Sequence, residues 1–333
     1  GIGLEDDSYT RVGAKILKTA DEVFGTADMI VKVKEPQPVE IKRLRKDQVL
    51  FTYLHLAPDP EQTKGLLESG AICIAYETVT DKWGGLPLLA PMSEVAGRMS
   101  IQAGAHSLEK AQGGRGMLLG GVPGVPAAKV VVLGGGVVGT NAARMAMGLE
   151  AHVTILDVSL RRLNELDMQF GAMLNTVFST IDSIEEHVTG ADLVIGGVLL
   201  PGAAAPKLIT KKMVSQMKKG SVIVDVAIDQ GGCAETSHAT THADPTYMVD
   251  GVVHYAVANM PGAVARTSTF ALNNATLPFT RALAELGAEA AMKKDPHLRA
   301  GLNVYKGTLT YGAVAEAQNL PFKTADEVLH IAD

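Results

Sequence analysis

The sequence has few cysteines and no long uninterrupted apolar segment. Its two cysteines in 333 residues, Cys73 and Cys233, cannot form a disulfide framework. Cys73 lies within an apolar run, so we expect a buried thiol, whereas Cys233 follows two glycines in a predicted loop. Proline interrupts the longest uncharged segments before they could span a bilayer, and the first residues lack a signal-peptide pattern. These absences favour a reducing, cytoplasmic location.

Positive charge is also scarce. Thirty lysines and arginines against 36 acidic residues give a net charge of −6, which disfavours binding to nucleic acid or to an anionic membrane. His238 and His242 lack a matching pattern of carboxylates or cysteines, so no metal site is expected. Glycine, by contrast, is abundant at 35 residues, as in proteins whose backbone approaches a ligand closely.

Alternating strand and helix patterns predict an α/β fold. The expected strands are short, continuous apolar runs of the kind found in parallel sheets: residues 28–34, 49–55, 71–76, 129–133, 152–157, 174–178, 192–195, 221–227 and 252–258. A helix is predicted at residues 93–112 with Ser93 as its N-cap, and from residue 268 the pattern is helical to the end. We expect two domains, one of residues 88–265 inserted into another of residues 1–87 and 266–333.

A glycine-rich turn follows the predicted strand at residues 129–133. Residues 134–139 read GGGVVG and open a predicted helix, which is the context that the G-x-G-x-x-G dinucleotide fingerprint requires. Gly134 would make the tight turn, Gly136 would admit a pyrophosphate, and Gly139 would let helix and strand pack closely. The central domain is therefore predicted to be a Rossmann-like domain.

The preferred dinucleotide follows from the end of the next strand. Asp157 lies 18 residues after Gly139, where a carboxylate can bind the adenosine ribose hydroxyls and would repel a 2′-phosphate. We therefore expect NAD rather than NADP. Arg161 and Arg162 leave room for NADP, although they also suit a solvated helix start.

Three further residues with ionisable groups stand at or just after the ends of predicted strands. Asp229 precedes two glycines and suits a ligand site or an Asx turn; His55 stands among leucines and suits catalysis or a core position. Lys34 suits a ligand site or a solvated strand end. Open parallel sheets bind ligands at the carboxyl ends of their strands, so together the three predict a cleft between two domains.

Long segments of the sequence resemble bacterial L-alanine dehydrogenase, in the alanine dehydrogenase and transhydrogenase family. The resemblance covers nearly the whole chain and is carried by KVKEP at 32–36, LFTYLHL at 50–56, PMSEVAGR at 91–98, GGRG at 113–116, GVPGV at 121–125, DVAIDQGG at 225–232 and VANMP at 257–261. It implies two Rossmann-like domains and a cytoplasmic homohexamer that oxidatively deaminates L-alanine to pyruvate and ammonium with NAD.

The resemblance also implies roles for individual residues. The lysine matching Lys34 binds substrate, and the residues matching His55 and Asp229 act as acid and base. The implied cofactor contacts, beyond the glycines, are Ser93, Val137, Val138, Asp157, Arg162, Ser179, Val198, Leu199, Val226, Ala227, Ile228, Asp229, Val257, Ala258, Asn259 and Met260. The family further has a segment ahead of the point matching Gly1, with an arginine that binds the substrate carboxylate, and we expect that this segment is missing from the sequence.

Three alternatives stay open at this point. The chain could be the NAD(H)-binding subunit of a proton-translocating transhydrogenase, which would need a membrane partner and no substrate of its own. It could be another amino-acid dehydrogenase, such as a saccharopine-forming enzyme. It could also bind the cofactor without being active, since the arginine of the missing segment is absent.

Overall fold

The computed structural model describes residues 2–198 and 205–331. The chain divides into a first unit, Gly1–Pro91 with Thr269–Asp333, and a second unit, Met92–Ser268. The strands are β1 Met29–Val31, β2 Val49–Thr52, β3 Ile72–Ala75, β4 Lys129–Leu133, β5 His152–Asp157, β6 Leu174–Phe178, β7 Leu193–Gly196, β8 Val222–Asp225, β9 Thr246–Val249, β10 Val252–Tyr255, β11 Leu302–Tyr305 and β12 Thr308–Leu309.

The α-helices complete the predicted alternation. They are α1 Asp6–Thr10, α2 Ala20–Thr26, α3 Pro38–Ile41, α4 Pro60–Ser69, α5 Ala90–Ser107, α6 Val137–Gly148, α7 Leu160–Phe170, α8 Ile181–Gly190, α9 Lys211–Gln216, α10 Ala265–Leu286, α11 Ala288–Lys294, α12 Pro296–Arg299, α13 Gly312–Gln318 and α14 Ala325–Val328. The α/β fold class is thereby confirmed. Within residues 2–198 and 205–331, no helix has the length and apolar character needed to cross a membrane.

The first unit contains a five-stranded sheet of order β1-β2-β3-β11-β12. Strands β1, β2 and β3 run parallel, and β11 pairs antiparallel with β3. The expectation of helix from residue 268 to the end was therefore wrong, because β11 and β12 lie in that region. The apolar residues of β11, Leu302 and Val304, are buried against the sheet, but a four-residue strand is too short to stand out among helices.

The second unit contains a seven-stranded sheet of order β6-β5-β4-β7-β8-β10-β9, parallel except for β9 at its edge. Helix α8 and strand β9 were not predicted from the sequence. The strands predicted to reach residues 55, 227 and 258 end earlier, at Thr52, Asp225 and Tyr255. After each of these ends the chain turns, and these turns carry most of the candidate site residues.

Both units have well-packed apolar cores. Leu50, Leu54 and Cys73 belong to the core of the first unit, and Val130 and Ile155 belong to one of the cores of the second. Cys73 is fully buried, as expected, and burial raises the pKa of its thiol to about 12. Buried apolar area is the main favourable contribution to folding, so these cores fix the strand ends that carry the site.

Candidate active site

Candidate groups of the first unit lie at the carboxyl edge of its parallel strands. Lys34 lies three residues beyond β1, His55 three residues beyond β2, and Glu77 two residues beyond β3. Because β1, β2 and β3 are neighbours and run in the same direction, the segments after them emerge side by side. This edge is the usual ligand-binding edge of an open parallel sheet.

The backbone of His55 is held in an unusual conformation. Its φ of +46° lies in the left-handed region, which costs about 1–3 kcal/mol for a residue other than glycine. Glu77 accepts hydrogen bonds from the backbone N–H groups of His55 at 2.6 Å and of Leu54 at 3.1 Å, and Gln62 donates to the carbonyl of Leu54 at 2.6 Å. The hydrogen bonds of Glu77 and Gln62 hold the turn in this conformation and offset the backbone strain at His55.

The imidazole of His55 is accessible and lies beside two carboxylates. Its side chain is 47% exposed, so the interpretation of His55 as a core histidine was wrong. The distance from Nε2 to a Glu35 oxygen is 3.5 Å, and from Nδ1 to a Glu77 oxygen it is 3.8 Å. The ring stacks on Tyr53 at a centroid distance of 5.7 Å and an interplanar angle of 4°. Each ring nitrogen of His55 therefore faces one of the two carboxylates.

Tyr53 supports this arrangement without offering a titratable group. Burial, together with the charge of Glu77, raises the pKa of the Tyr53 phenol, so the hydroxyl stays protonated. It donates a hydrogen bond to the carbonyl of Leu88 at 2.6 Å, which fixes the ring on which His55 stacks. Tyr53 is therefore a platform for the imidazole.

The two lysines of the KVKEP segment have different surroundings. Lys32 forms an ion pair with Glu40, which also accepts the backbone N–H of Gln37. Lys34 is 59% exposed, and its ammonium lies 3.7 Å from Glu35. Because a bound anion could approach Lys34 but not the occupied Lys32, Lys34 is the better candidate for a carboxylate-binding cation.

The glycine-rich turn of the second unit has the geometry of a dinucleotide cradle. Gly134 has a φ of +94°, and a Cβ on Gly139 would stand 1.8 Å from the carbonyl oxygen of Gly134. A Cβ on Gly136 would meet no atom within 4 Å, so space is open above the N-terminus of α6. Backbone N–H groups at such a terminus bind phosphates. The turn therefore fits a pyrophosphate.

Asp157 and Arg162 both contact this turn. Asp157, at the end of β5, accepts the backbone N–H of Gly135 at 2.6 Å. The Arg162 guanidinium donates to the Gly135 carbonyl at 2.6 Å and to the Thr140 hydroxyl at 2.7 Å, and it pairs with Glu165. Arg162 is therefore engaged with the protein, in contrast to the expectation of a residue that only solvates a helix start.

Ser93 lies on the helix that packs beside this turn. Helix α5 begins at Ala90, so Ser93 stands within its first turn and is not the expected N-cap. One helical turn further, a Cβ on Gly97 would come 2.3 Å from the Val138 carbonyl oxygen. This close approach places the Ser93 turn of α5 near the start of α6 within the second unit.

The other predicted cofactor residues of the second unit follow its parallel strands. Ser179 comes after β6, Val198 after β7, residues 226–229 after β8 and residues 257–260 after β10. The structure thus brings these segments to one edge of the sheet, which also carries the glycine-rich turn after β4. Leu199 lies outside the described residues.

Asp229 and Asp225 have opposite surroundings. Asp229 lies in a short 3-10 helix, and its side chain is exposed, with no hydrogen bond or ion pair to the part of the chain that the structure describes. Asp225 is buried and accepts hydrogen bonds from Cys233 N–H at 2.9 Å, Ala234 N–H at 3.2 Å and the Ser237 hydroxyl at 2.6 Å. Asp225 holds the chain that follows the Asp229 turn.

Glu35, Glu77 and Asp225 were not singled out in the sequence. Glu35 directly follows Lys34, and Glu77 follows the end of a predicted strand as Asp229 does. That shared position was a usable signal for Glu77. Asp225 offered none, because it was predicted to lie inside a strand.

The chain matches both domain profiles of one family. The profile described as Alanine dehydrogenase/PNT, N-terminal domain, matches residues 1–96, and the one described as Alanine dehydrogenase/PNT, C-terminal domain, matches residues 100–312. An alanine dehydrogenase from Halomonas elongata is 63% identical over 329 residues, which are 99% of this chain and 89% of that relative. One from Methanococcus maripaludis is 56% identical over 331 residues, with the same coverage.

Solved structures agree with these matches. A structure of L-alanine dehydrogenase is 52% identical, covers 96% of this chain and 88% of its own, and superposes with a TM-score of 0.91. A transhydrogenase structure from Sinorhizobium meliloti is 26% identical, covers 92% and 88% of the two chains, and has a TM-score of 0.80.

Proposed function

Because the chain belongs to the alanine dehydrogenase/PNT family, we propose that it is an NAD-dependent L-alanine dehydrogenase. The reaction converts L-alanine, NAD and water into pyruvate, ammonium, NADH and a proton, and it is reversible. The observation that carries the proposal is the 63% identity over 99% of the chain to a curated alanine dehydrogenase, against 26% to a transhydrogenase structure. The positions of Lys34 and His55 at one strand edge, and of the glycine-rich turn and Asp229 at the other, support the proposal.

Lys34 binds the carboxylate of alanine. Its ammonium is exposed at the carboxyl edge of β1, and its nearest anionic partner, Glu35, is 3.7 Å away, which leaves room for a charge-assisted hydrogen bond to a substrate. Binding of the carboxylate at this point orients Cα and the amine, and orientation contributes a large share of catalysis in such reactions.

His55 and Asp229 move protons on the substrate. NAD, once bound, would supply the acceptor for the hydride of Cα, so that the amine of the substrate is oxidised to an iminium. His55 takes a proton from the attacking water and later returns one to the leaving ammonia, which suits imidazole because its charge changes near neutral pH. Asp229, exposed and without a protein partner among the described residues, stabilises the positive charge on nitrogen and accepts its proton.

The second unit binds NAD over its glycine-rich turn. The N–H groups at the start of α6 hold the pyrophosphate, and Asp157 holds the adenosine ribose. Glu165 pairs with Arg162, and the carboxylate of Asp157 would repel a 2′-phosphate, so we expect NAD to be preferred over NADP. Ser93, Ser179, Val198, Leu199, residues 226–229 and residues 257–260 contribute the remaining contacts.

The assembled state and location are part of the same proposal. We propose a cytoplasmic homohexamer with no membrane or nucleic-acid partner, on the family resemblance and on the net charge of −6. Light scattering during size-exclusion chromatography measures the mass of the assembly. A mass near that of one 34.9 kDa chain would contradict the hexamer without affecting the proposed reaction.

The proposal is tested by monitoring the absorbance of NADH formed from NAD in the presence of L-alanine. We expect His55→Ala and Asp229→Asn to lower turnover at least about 100-fold while NADH still binds, which is the usual minimum for losing an acid or base. His106→Ala and Asp182→Asn remove exposed residues of the second unit and serve as controls. Binding of NADH with no alanine-dependent reduction would contradict the proposal and favour either a transhydrogenase-type subunit or a chain that binds the cofactor without being active.

A further inference from the structure

The structure singles out Glu77 as the group that holds His55 in place. Glu77 lies in the 3-10 helix Tyr76–Thr78 that follows β3, and its side chain is only 14% exposed. The flanking side chains of Tyr76 and Thr78 are buried, and the Thr78 hydroxyl accepts a hydrogen bond from Asn303 at 2.8 Å. The carboxylate of Glu77 therefore projects from a rigid base.

One oxygen of this carboxylate accepts two backbone hydrogen bonds. Oε1 lies 2.6 Å from the N–H nitrogen of His55 and 3.1 Å from that of Leu54, and Oε2 lies 3.2 Å from the latter. The residue that receives the shorter bond is the one with a φ of +46°. Strained backbone conformations that surrounding side chains hold in place cluster at functional sites.

Resting on the proposed function, we propose that Glu77 is a positioning residue that aims the His55 imidazole at the reacting nitrogen and water. Glu77 acts through the backbone of His55 and does not itself carry protons, because its Oε1 is already occupied by two N–H groups. Glu35, at 3.5 Å from Nε2, faces the ring from the side of Lys34, and Tyr53 supports its flat face.

This role predicts an unusual order of conservative variants. Glu77→Gln keeps a carbonyl oxygen at full reach, so it still accepts both N–H groups although the charge is lost. Glu77→Asp keeps the charge but withdraws the oxygens by one methylene. We expect Gln to retain turnover within about threefold and Asp to lower it at least about tenfold, because small misplacements of a catalytic group are costly. A turnover of the Glu77→Asp variant that equals or exceeds that of Glu77→Gln would overturn the proposal.

A double variant tests whether Glu77 acts through His55. If it does, His55→Ala with Glu77→Asp turns over as slowly as His55→Ala by itself, because the group that Glu77 positions is already gone. If Glu77→Asp lowers turnover by the same factor in both backgrounds, the role is independent of His55 and the proposal fails. The turnover of each variant is expressed per NADH-binding site, so that unfolded chains do not lower the measured value. Glu316→Gln serves as the control variant, because Glu316 is exposed in the same unit.

Hydrogen exchange gives a second readout that does not need activity. We expect the backbone amides of Leu54 and His55 to exchange at least about tenfold faster in Glu77→Asp than in Glu77→Gln, since only the latter keeps their acceptor. Equal exchange in the two variants would overturn the proposal. A wild-type chain that does not reduce NAD with alanine would contradict the proposed reaction, and the exchange measurement would still decide the role of Glu77.

Discussion

The carboxyl edges of the two sheets hold their candidate groups in different ways. In the first unit, the His55 imidazole is stacked on Tyr53 and lies within 4 Å of Glu35 and Glu77. In the second unit, the groups that would meet a ligand are the open turn at Gly136 and the exposed carboxylate of Asp229. The first edge is organised by side chains of the protein itself, whereas the second leaves groups for a ligand to satisfy.

The two edges nevertheless share one device. Each uses a carboxylate near a strand end to hold a turn. Glu77 accepts hydrogen bonds from the N–H groups of Leu54 and His55, and the buried Asp225 accepts them from those of Cys233 and Ala234. A charged acceptor forms stronger hydrogen bonds with N–H groups than a neutral one. The two edges therefore differ in the side chains that these turns present, which are the stacked His55 imidazole in the first unit and the exposed Asp229 carboxylate in the second.

The largest effect should come from the glycine-rich turn. We expect Gly139→Ala to destabilise the second unit by about 3 kcal/mol or more and to abolish NADH binding, because its Cβ would lie 1.8 Å from the Gly134 carbonyl oxygen. Denaturant unfolding and NADH fluorescence titration measure the two effects. A stable Gly139→Ala variant that binds NADH would show that α6 can move away from the turn at Gly134 with little loss of folding free energy.

Gly136→Ala is the matched variant. Its Cβ meets no atom within 4 Å, so we expect the free energy of unfolding to change by less than about 0.5 kcal/mol. NADH binding should still weaken about tenfold, since the methyl group occupies the space that a pyrophosphate needs. Unchanged affinity would mean that the pyrophosphate does not lie over this turn.

Removal of Asp225 should have the next largest effect. Asp225→Ala leaves the N–H groups of Cys233 and Ala234 and the hydroxyl of Ser237 without their acceptor, so we expect a loss of about 2–4 kcal/mol in the free energy of unfolding. Chemical denaturation measures it, with the exposed Asp167→Ala as control. A loss no larger than that of the control would show that the turn is held by other contacts.

The smallest expected effect is on the alkylation rates of the two cysteines, one of which lies in each unit. Both thiols are fully buried; burial raises the pKa of Cys73 to about 12, and burial with the charge of Asp225 raises the pKa of Cys233 well above its usual value. The thiolate is the reactive form, so at pH 8 both should be alkylated only when the chain opens locally.

Cofactor binding should then separate the two thiols. NADH at about ten times its Kd should slow alkylation of Cys233 about tenfold, which corresponds to about 1.4 kcal/mol, and leave that of Cys73 nearly unchanged. Mass spectrometry of the two peptides measures both rates. Equal protection of both thiols would contradict a cofactor site confined to the groups of the second unit.

Several features were predictable because their signals are local. Strands β4, β5 and β6 end where their apolar runs end, and the GGGVVG turn lies between β4 and α6 as expected. The overall α/β class and the family were likewise accessible. The strands before His55 and Asp229 were predicted too long, because the apolar pattern continues into turns whose residues are also buried, such as Leu54 and Ala227.

The sequence by itself determined the local elements, the dinucleotide turn and the family, since each depends on residues that are adjacent or lie one strand and one helix apart. Only the tertiary structure decided that β11 joins β3, that Glu77 reaches the backbone of His55 from 22 positions away, and that Arg162 lies across the turn at Gly135. Such contacts depend on strand order and on how side chains share hydrogen bonds in three dimensions. A linear pattern of apolar and polar residues does not encode them.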